Sequence, residues 1–203
     1  MWQNCFLAAA SDRQSLGRDV RAPLNIFLDE AGKFSQPPKT ALVTWSTDYD
    51  LPITPYTSYS KASTDLLLPS DSSFVWATNA AAIQSSINGR SQLPIAGGTN
   101  LSAGLDMAVA TLKGTNSSQF ANKVVVLLTD GQWNEGRSPI DAAYDARAAG
   151  VTVHCVSMLT SSQPDLQSVA DITGGRYYGT TNETQLRNAF AELARSLPIV
   201  LTQ

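Results

Sequence analysis

The chain has 203 residues, of which 43% are hydrophobic and 15% are charged, and its formal net charge is −3. This length allows one large domain or two small ones, with enough apolar residues for a single core. Without a basic excess, nucleic acid is not expected as a partner. No apolar run approaches the roughly 20 residues needed to cross a bilayer.

The hydrophobic pattern alternates between helical spacing and short apolar runs along most of the chain. The predicted elements, in order, are a helix at 18–31, a strand at 40–46, an edge strand at 51–54, helices at 74–88 and 101–112, a strand at 123–128, a helix at 139–149, a strand at 151–158, a helix at 164–173, a strand at 176–179 and a helix ending at 197. This order predicts an α/β fold, with a doubly wound, mostly parallel sheet, helices on both faces and one antiparallel edge strand. No linker or repeat divides the sequence, so residues 1–203 are predicted to form a single domain.

Local signals support several of these bounds. Ser138 followed by Pro139 is typical of a helix start, and Thr181 or Asn182 is expected to cap the last helix. The long polar stretch at 57–73 is either an excursion near a functional site or a loop pinned by three leucines at 66–68. We favour the pinned loop. Cys155 lies in an apolar strand pattern, which predicts a buried free thiol.

The strongest functional pattern lies between residues 96 and 131. The segment IAGGTNLSAGL places Thr99 just before a helix, and KVVVLLTDG places Asp130 directly after an apolar strand. Open α/β sheets bind ligands in the crevice at the carboxyl ends of their strands. A hydroxyl and a carboxylate pointing into that crevice are oxygen donors, which suit a hard cation such as Mg²⁺.

These motifs resemble the metal-ion-dependent adhesion site (MIDAS) of von Willebrand factor A (vWA) domains. The family pattern is DxSxS after the first strand, a threonine in a later loop and an aspartate after the fourth strand. The resemblance covers about nine-tenths of the chain and, within the family, is greatest to TadG-like proteins, which are associated with Tad (Flp) pilus assembly at bacterial surfaces. It implies that Thr99 and Asp130 bind Mg²⁺, or Mn²⁺ or Ca²⁺ in its place.

The first part of the family pattern is altered here. The segment SDRQSLG keeps Asp12 but has Gln14 and Leu16 in the two serine positions. Either the site is degenerate, with Asp12 as its remaining ligand, or the first strand and its motif lie upstream of this chain. We favour the second interpretation because residues 1–17 fit a strand poorly. A sheet without that strand would leave two neighbours unpaired or recruit the segment around Cys5.

The resemblance implies a non-enzymatic module that binds a protein partner. A glutamate or aspartate of the partner would complete the metal coordination, and loops carrying Asn100, Trp133 and Asn134 would contact the partner's surface. Trp133 is either an exposed anchor or packs on its own loop. Trp45 and Asp48 are expected near the rim of the site. The full protein is expected to work outside the cytoplasm, at the cell surface.

Two other functions remain open. Gln14 and Leu16 favour a metal-free structural domain within a larger assembly. A magnesium-dependent hydrolase is the weaker alternative, because the sequence has no GxSxG elbow, P-loop or GxGxxG motif. His154, the only histidine, lies in the middle of a predicted strand, which indicates a role in the core or on a sheet face.

Overall fold

A computed structural model of the chain describes residues 4–10, 21–34, 38–45, 65–66, 99–114, 121–130, 132–158 and 162–197. These ranges contain six strands and five helices. The strands are β1 (Asn4–Ala10), β2 (Lys39–Trp45), β3 (Asp65–Leu66), β4 (Lys123–Thr129), β5 (Val151–Ser157) and β6 (Tyr177–Gly179). The helices are α1 (Arg21–Ala31), α2 (Leu101–Lys113), α3 (Pro139–Ala148), α4 (Pro164–Thr173) and α5 (Glu183–Ser196). None of these helices is long and apolar enough to cross a membrane.

The six strands form one sheet in the order β3-β2-β1-β4-β5-β6, and every neighbouring pair except β2 and β3 is parallel. The predicted α/β fold with a mostly parallel sheet is confirmed. β4 is buried along its length after Lys123, because helices cover both faces of the sheet. Helix α1 packs on α5. Helix α3 packs on both α2 and α4.

β1 occupies the centre of the sheet. Asn4 pairs with Lys39 of β2 on one side and with Lys123 of β4 on the other. The segment around Cys5 therefore occupies the place of the family's first strand, and the expectation that residues 1–17 fit a strand poorly is wrong for residues 4–10. That the family's own first strand and its motif lie upstream stays a prediction. Its three successive alanines have low strand propensity, but hydrogen bonding along both edges overrides that local preference.

The antiparallel edge strand is present at a different place from the predicted one. β3 pairs with β2, with Leu66 opposite Val43. Leu66 therefore belongs to the sheet, where the sequence had predicted a pinned loop. Residues 51–54, predicted to be the edge strand, and the predicted helix at 74–88 lie outside the described residues.

Capping residues set the bounds of the remaining helices. The Ser138 hydroxyl accepts a hydrogen bond from the Ile140 amide (3.2 Å) at the start of α3. Gly174 ends α4 in the left-handed conformation, with φ of 74°. The Asn182 side chain accepts from the Gln185 amide (2.9 Å) at the start of α5, which resolves the two predicted caps in favour of Asn182.

Candidate functional site

Asp130 lies at the carboxyl edge of the sheet, immediately after β4. The chain proceeds from β1 to β2 on one side and reaches β4 on the other, so the sheet order reverses between β1 and β4. In open α/β sheets such a reversal opens the crevice where ligands bind. Thr129 is fully buried and Asp130 is half-buried, which places the carboxylate where the strand emerges from the core.

Thr99 and Asn100 directly precede α2, and Asn100 is its N-cap. The Asn100 Oδ1 atom accepts hydrogen bonds from the Ala103 amide (3.0 Å) and from the Ser102 hydroxyl (2.9 Å). Thr99 and Asn100 are 5% and 4% exposed. Asn100 therefore acts as a buried helix cap, and contact with a partner through its side chain would require that cap to open. Its expected partner contact stays a prediction.

Asn134 joins the loop after Asp130 to the Thr99 loop. Its side-chain Oδ1 atom accepts a hydrogen bond from the Thr99 backbone amide at 2.7 Å. The backbone amide of Asn134 donates to the Thr99 carbonyl at 3.2 Å. Asn134 lies four residues after Asp130, and four residues span at most about 14 Å even when fully extended. The reciprocal bonds therefore keep Thr99 and Asp130 in the same region of the carboxyl edge.

The loop after Asp130 lies close to the rest of the protein at two residues, Trp133 and Gly136. The Trp133 indole donates to the Glu135 carbonyl at 2.6 Å, and its half-buried ring packs on the core. Of the two interpretations of Trp133, this geometry favours packing on its own loop. Gly136 lies so close to the Asn100 side chain that a Cβ atom there would be 2.2 Å from Asn100 Oδ1.

Arg137 fastens the end of this loop to two helices. Its guanidinium donates to both carboxylate oxygens of Asp106 on α2, at 2.8 and 2.5 Å, and to Asp145 on α3 at 2.8 Å. The hydrogen bond to Asp106, followed by that to Asp145, raises the pKa of Arg137 above its usual range, against the effect of burial. The pairs are exposed and each contributes little stability, but together they join the end of the loop to both helices. No sequence pattern singles out Arg137, because nothing in the spacing links it to Asp106.

Trp45 packs against α2, the helix that follows Thr99. It ends β2 and is 4% exposed. A Cβ atom on Gly104 of α2 would be 2.3 Å from the indole Cδ1 atom, so the ring lies directly against the helix that follows Thr99. Trp45 was predicted to lie near the rim, but it is buried beneath α2. Asp48 lies outside the described residues.

The donor chemistry suits a hard divalent cation. The Thr99 hydroxyl and the Asp130 carboxylate are oxygen donors, and Mg²⁺ commonly takes one or two carboxylates while keeping several waters. Asp12, the third expected ligand, lies outside the described residues. Among the residues that are described, no three His, Cys, Asp or Glu side chains cluster so as to hold a metal ion.

His154 lies away from this edge, in the middle of β5. Its Nδ1 atom accepts from the Arg176 amide at 3.0 Å. Burial, with a smaller contribution from the charge of Arg176, lowers its pKa from 6.5 to about 4. The imidazole is therefore neutral at pH 7, in keeping with the predicted role in the core or on a sheet face.

The free energy of unfolding is expected to fall by about 2 kcal/mol between pH 7 and pH 5 because of His154. The folded pKa lies below the unfolded one, so the unfolded chain binds the proton first and stability is lost as pH falls. Urea denaturation of the wild type and His154→Asn at both pH values measures the effect. Asn keeps an acceptor near the Nδ1 position, and an equal pH dependence in both proteins would contradict the assignment.

The sheet order defines an α/β domain whose strand order reverses between β1 and β4, the place where such sheets bind ligands. The sequence profile of the von Willebrand factor type A domain matches residues 58–192, more than half of the chain. The chain therefore belongs to the von Willebrand factor type A domain family.

Individual relatives match smaller parts of the sequence. A stretch of 99 residues is 30% identical to calcium-activated chloride channel regulator 1 of Bos taurus, which is 48% of this chain and 10% of that protein. A stretch of 100 residues is 31% identical to calcium-activated chloride channel regulator 4 of Homo sapiens, with the same coverage of 48% and 10%. The chain thus spans about a tenth of the length of the curated relatives it matches.

Solved structures match nearly the whole chain. Proximal thread matrix protein 1 from the mussel byssus has a TM-score of 0.70 at 15% identity, over 96% of this chain and 47% of its own. A structure of that protein with a zinc-occupied MIDAS motif has a TM-score of 0.68 at 15% identity, with the same coverage of 96% and 47%. The pilus adhesin SpaC from Lactobacillus rhamnosus GG has a TM-score of 0.68 at 16% identity, over 96% and 30%. At these identities the likeness shows a shared fold.

Proposed function

We propose that this chain is a non-enzymatic module that binds a protein partner through a divalent cation at the carboxyl edge of the sheet. The observation that carries this proposal is the reciprocal pair of hydrogen bonds between Asn134 and Thr99. It ties the loop that supplies a hydroxyl to the loop that follows the Asp130 carboxylate. Membership of a family that often mediates protein binding and adhesion supports the same function.

Thr99 and Asp130 would hold the cation, with Asp12 as a third ligand. When bound, the cation would offer an open coordination position to a glutamate or aspartate of the partner. Hydroxyl and carboxylate oxygens suit hard cations such as Mg²⁺, and Mg²⁺ is the first ion to test. The neighbour with zinc in its MIDAS motif makes Zn²⁺ a second ion to test, beside Mn²⁺ and Ca²⁺.

The setting we propose is the cell surface or another extracytoplasmic site, in adhesion or pilus assembly. The resemblance to TadG-like proteins motivates this assignment, and the shared fold with a pilus adhesin agrees with it. Trp133 and Asn134 lie on the loop after Asp130, so a partner that reaches the cation would also meet this loop. We retain both as partner-contacting residues in the proposal.

A metal-free structural domain is the second candidate. Gln14 and Leu16 replace the two serines of the family motif, which removes two hydroxyl ligands. Under this alternative the loops would keep their hydrogen bonds and the domain would pack within a larger assembly without a cation.

The temperature of unfolding is expected to rise by about 5 to 10 °C when a cation is present at 100 times its dissociation constant. A ligand that binds only the folded state adds about 2.7 kcal/mol at that concentration, and each kcal/mol moves the midpoint of a domain of this size by about 2–4 °C. Thermal unfolding with Mg²⁺, Mn²⁺, Ca²⁺, Zn²⁺ or chelator measures the shift. Asp130→Asn keeps the size of the side chain and is expected to lose the shift.

Asp29→Asn, which makes the same change at an exposed carboxylate of α1, is the matched control and should keep the full shift. Equal midpoints with and without every cation would favour the metal-free structural domain. Partner capture that persists in chelator and in Asp130→Asn would overturn the metal-bridged mode of binding.

A further inference from the structure

We propose that Asn134 is a positioning residue for the cation site, because it holds the Thr99 backbone in place relative to the Asp130 loop. This inference rests on the proposed function and adds a residue that binds no cation itself. Its basis is the reciprocal pair of hydrogen bonds, at 2.7 and 3.2 Å, between residues 35 positions apart.

The Thr99 amide needs this partner. Thr99 is 5% exposed, so water does not reach its backbone freely, and a buried N–H without a partner is costly. Thr99 also precedes the Asn100 cap and therefore lies outside the hydrogen-bonded turns of α2. The Oδ1 atom of Asn134 satisfies the amide from a different loop, so the position of Thr99 depends on the chain that follows Asp130.

Asn134 is itself held from both directions. Before it, the Trp133 ring packs on the core, and after it, Arg137 bonds to Asp106 and Asp145. An exposed side chain with a single hydrogen bond would order little alone. Because the loop is joined to the protein at these points, the Asn134 side chain holds the Thr99 backbone in one position, as pre-organised sites require.

The chemistry of the amide explains why asparagine suits this position. Its Oδ1 atom accepts from Thr99 without adding charge, and its short side chain brings the two backbones close enough for the second bond. The bond from the Thr99 amide uses Oδ1, so the expected contact between Asn134 and a partner would involve the other atoms of its side chain. Residues that orient metal ligands commonly change metal affinity 10- to 100-fold when they are removed.

Asn134→Ala is expected to raise the dissociation constant for Mn²⁺ about 10-fold or more, measured by calorimetry on the full chain. Asn134→Asp keeps the acceptor, and its dissociation constant for Mn²⁺ is expected to be no more than about threefold above that of the wild type. Because aspartate also adds a negative charge, the double variant Asn134→Ala with Gln132→Asp supplies the charge on the same exposed loop without the acceptor. If that double variant restores affinity as well as Asn134→Asp does, charge rather than positioning is responsible and the inference is overturned.

Hydrogen exchange of the Thr99 amide, followed by NMR in chelator, tests the inference without any cation. The exchange rate should rise about five- to tenfold in Asn134→Ala and return toward the wild-type value in Asn134→Asp. An unchanged rate in Asn134→Ala would overturn the inference whether or not the protein binds metal. A wild type that binds no cation, but whose Thr99 amide loses protection in Asn134→Ala, would refute the proposed function and leave only the ordering of the Thr99 backbone by Asn134 standing.

Discussion

Phe190→Ala is expected to lower the free energy of unfolding by about 4 kcal/mol, the largest effect of a single substitution considered for this chain. Phe190 of α5 and Phe27 of α1 are both fully buried. Their rings meet edge to face, with centroids 6.3 Å apart and an interplanar angle of 86°. Truncation removes the ring's burial, leaves a cavity and ends the aromatic contact, which adds about 1 kcal/mol to the loss.

Urea denaturation monitored by circular dichroism measures this change. Phe190→Leu fills part of the space and should cost about half as much. Tyr144→Ala is the surface control, since the Tyr144 side chain is 55% exposed, and should change stability by less than about 0.5 kcal/mol. A loss below about 1 kcal/mol in Phe190→Ala would show that α1 and α5 do not pack together as described.

Gly136→Ala is expected to destabilise the protein by about 3 kcal/mol, against about 1 kcal/mol for Gly174→Ala. Both glycines have φ of 74°, so both substitutions carry the same left-handed strain. They differ in their surroundings, because an alanine Cβ at 174 meets nothing within 4 Å, whereas at 136 it overlaps the Asn100 side chain. The difference in the free energy of unfolding between the two variants therefore measures two effects at position 136. One is the loss of the α2 cap, which is typically worth about 1 kcal/mol, and the other is the displacement of the loop.

The pair also separates stability from function. Gly136→Ala moves the loop that holds Thr99, so its cation-dependent shift in melting temperature should shrink, whereas Gly174→Ala should keep the wild-type shift. The two variants can be compared by thermal unfolding with Mn²⁺ and with chelator. Equal losses of stability and equal shifts would show that the Gly136 loop does not rest on Asn100.

The sequence predicted the second half of the fold well because its signals there are local. β4 is a run of five apolar residues with charge or turn residues at both ends, and Ser138 with Pro139 specifies a helix start in two positions. The bounds of α2, α3, α4 and β5 agree with the prediction within one or two residues. Fold class follows from the order of such elements, so it was accessible even where single elements were misplaced.

Two strands in the first half of the chain, β1 and β3, could not be assigned in this way. β1 contains three successive alanines, and its strand conformation depends on pairing with β2 and β4, which are far away in sequence. β3 has two residues, too few for any periodicity to register. In both cases tertiary pairing decides the structure, and single-sequence patterns carry no record of it.

Thr99 and Asp130 stay predicted donors of the candidate site, and the contacts that support them were missed. Thr99 and Asp130 stand in motifs with recognisable flanks, so their placement at one edge could be expected. The bond from Asn134 to Thr99 and the ion pairs of Arg137 join distant segments, and no spacing rule links them. The capping role of Asn100 did have a signal, since asparagine directly before an apolar helix is a preferred N-cap.

The central place of β1 has a consequence for how the protein is made. Its backbone must pair with a strand that begins at position 123, a separation of 119 residues from Asn4. Ribosomes add roughly 5–20 residues per second, so β1 is out of the ribosome for about ten seconds before β4 follows it. During that interval the strand has β2 beside one edge only, and its other edge can pair with foreign chains. Synthesis at lower temperature, which slows competing association, is therefore expected to raise the yield of folded protein.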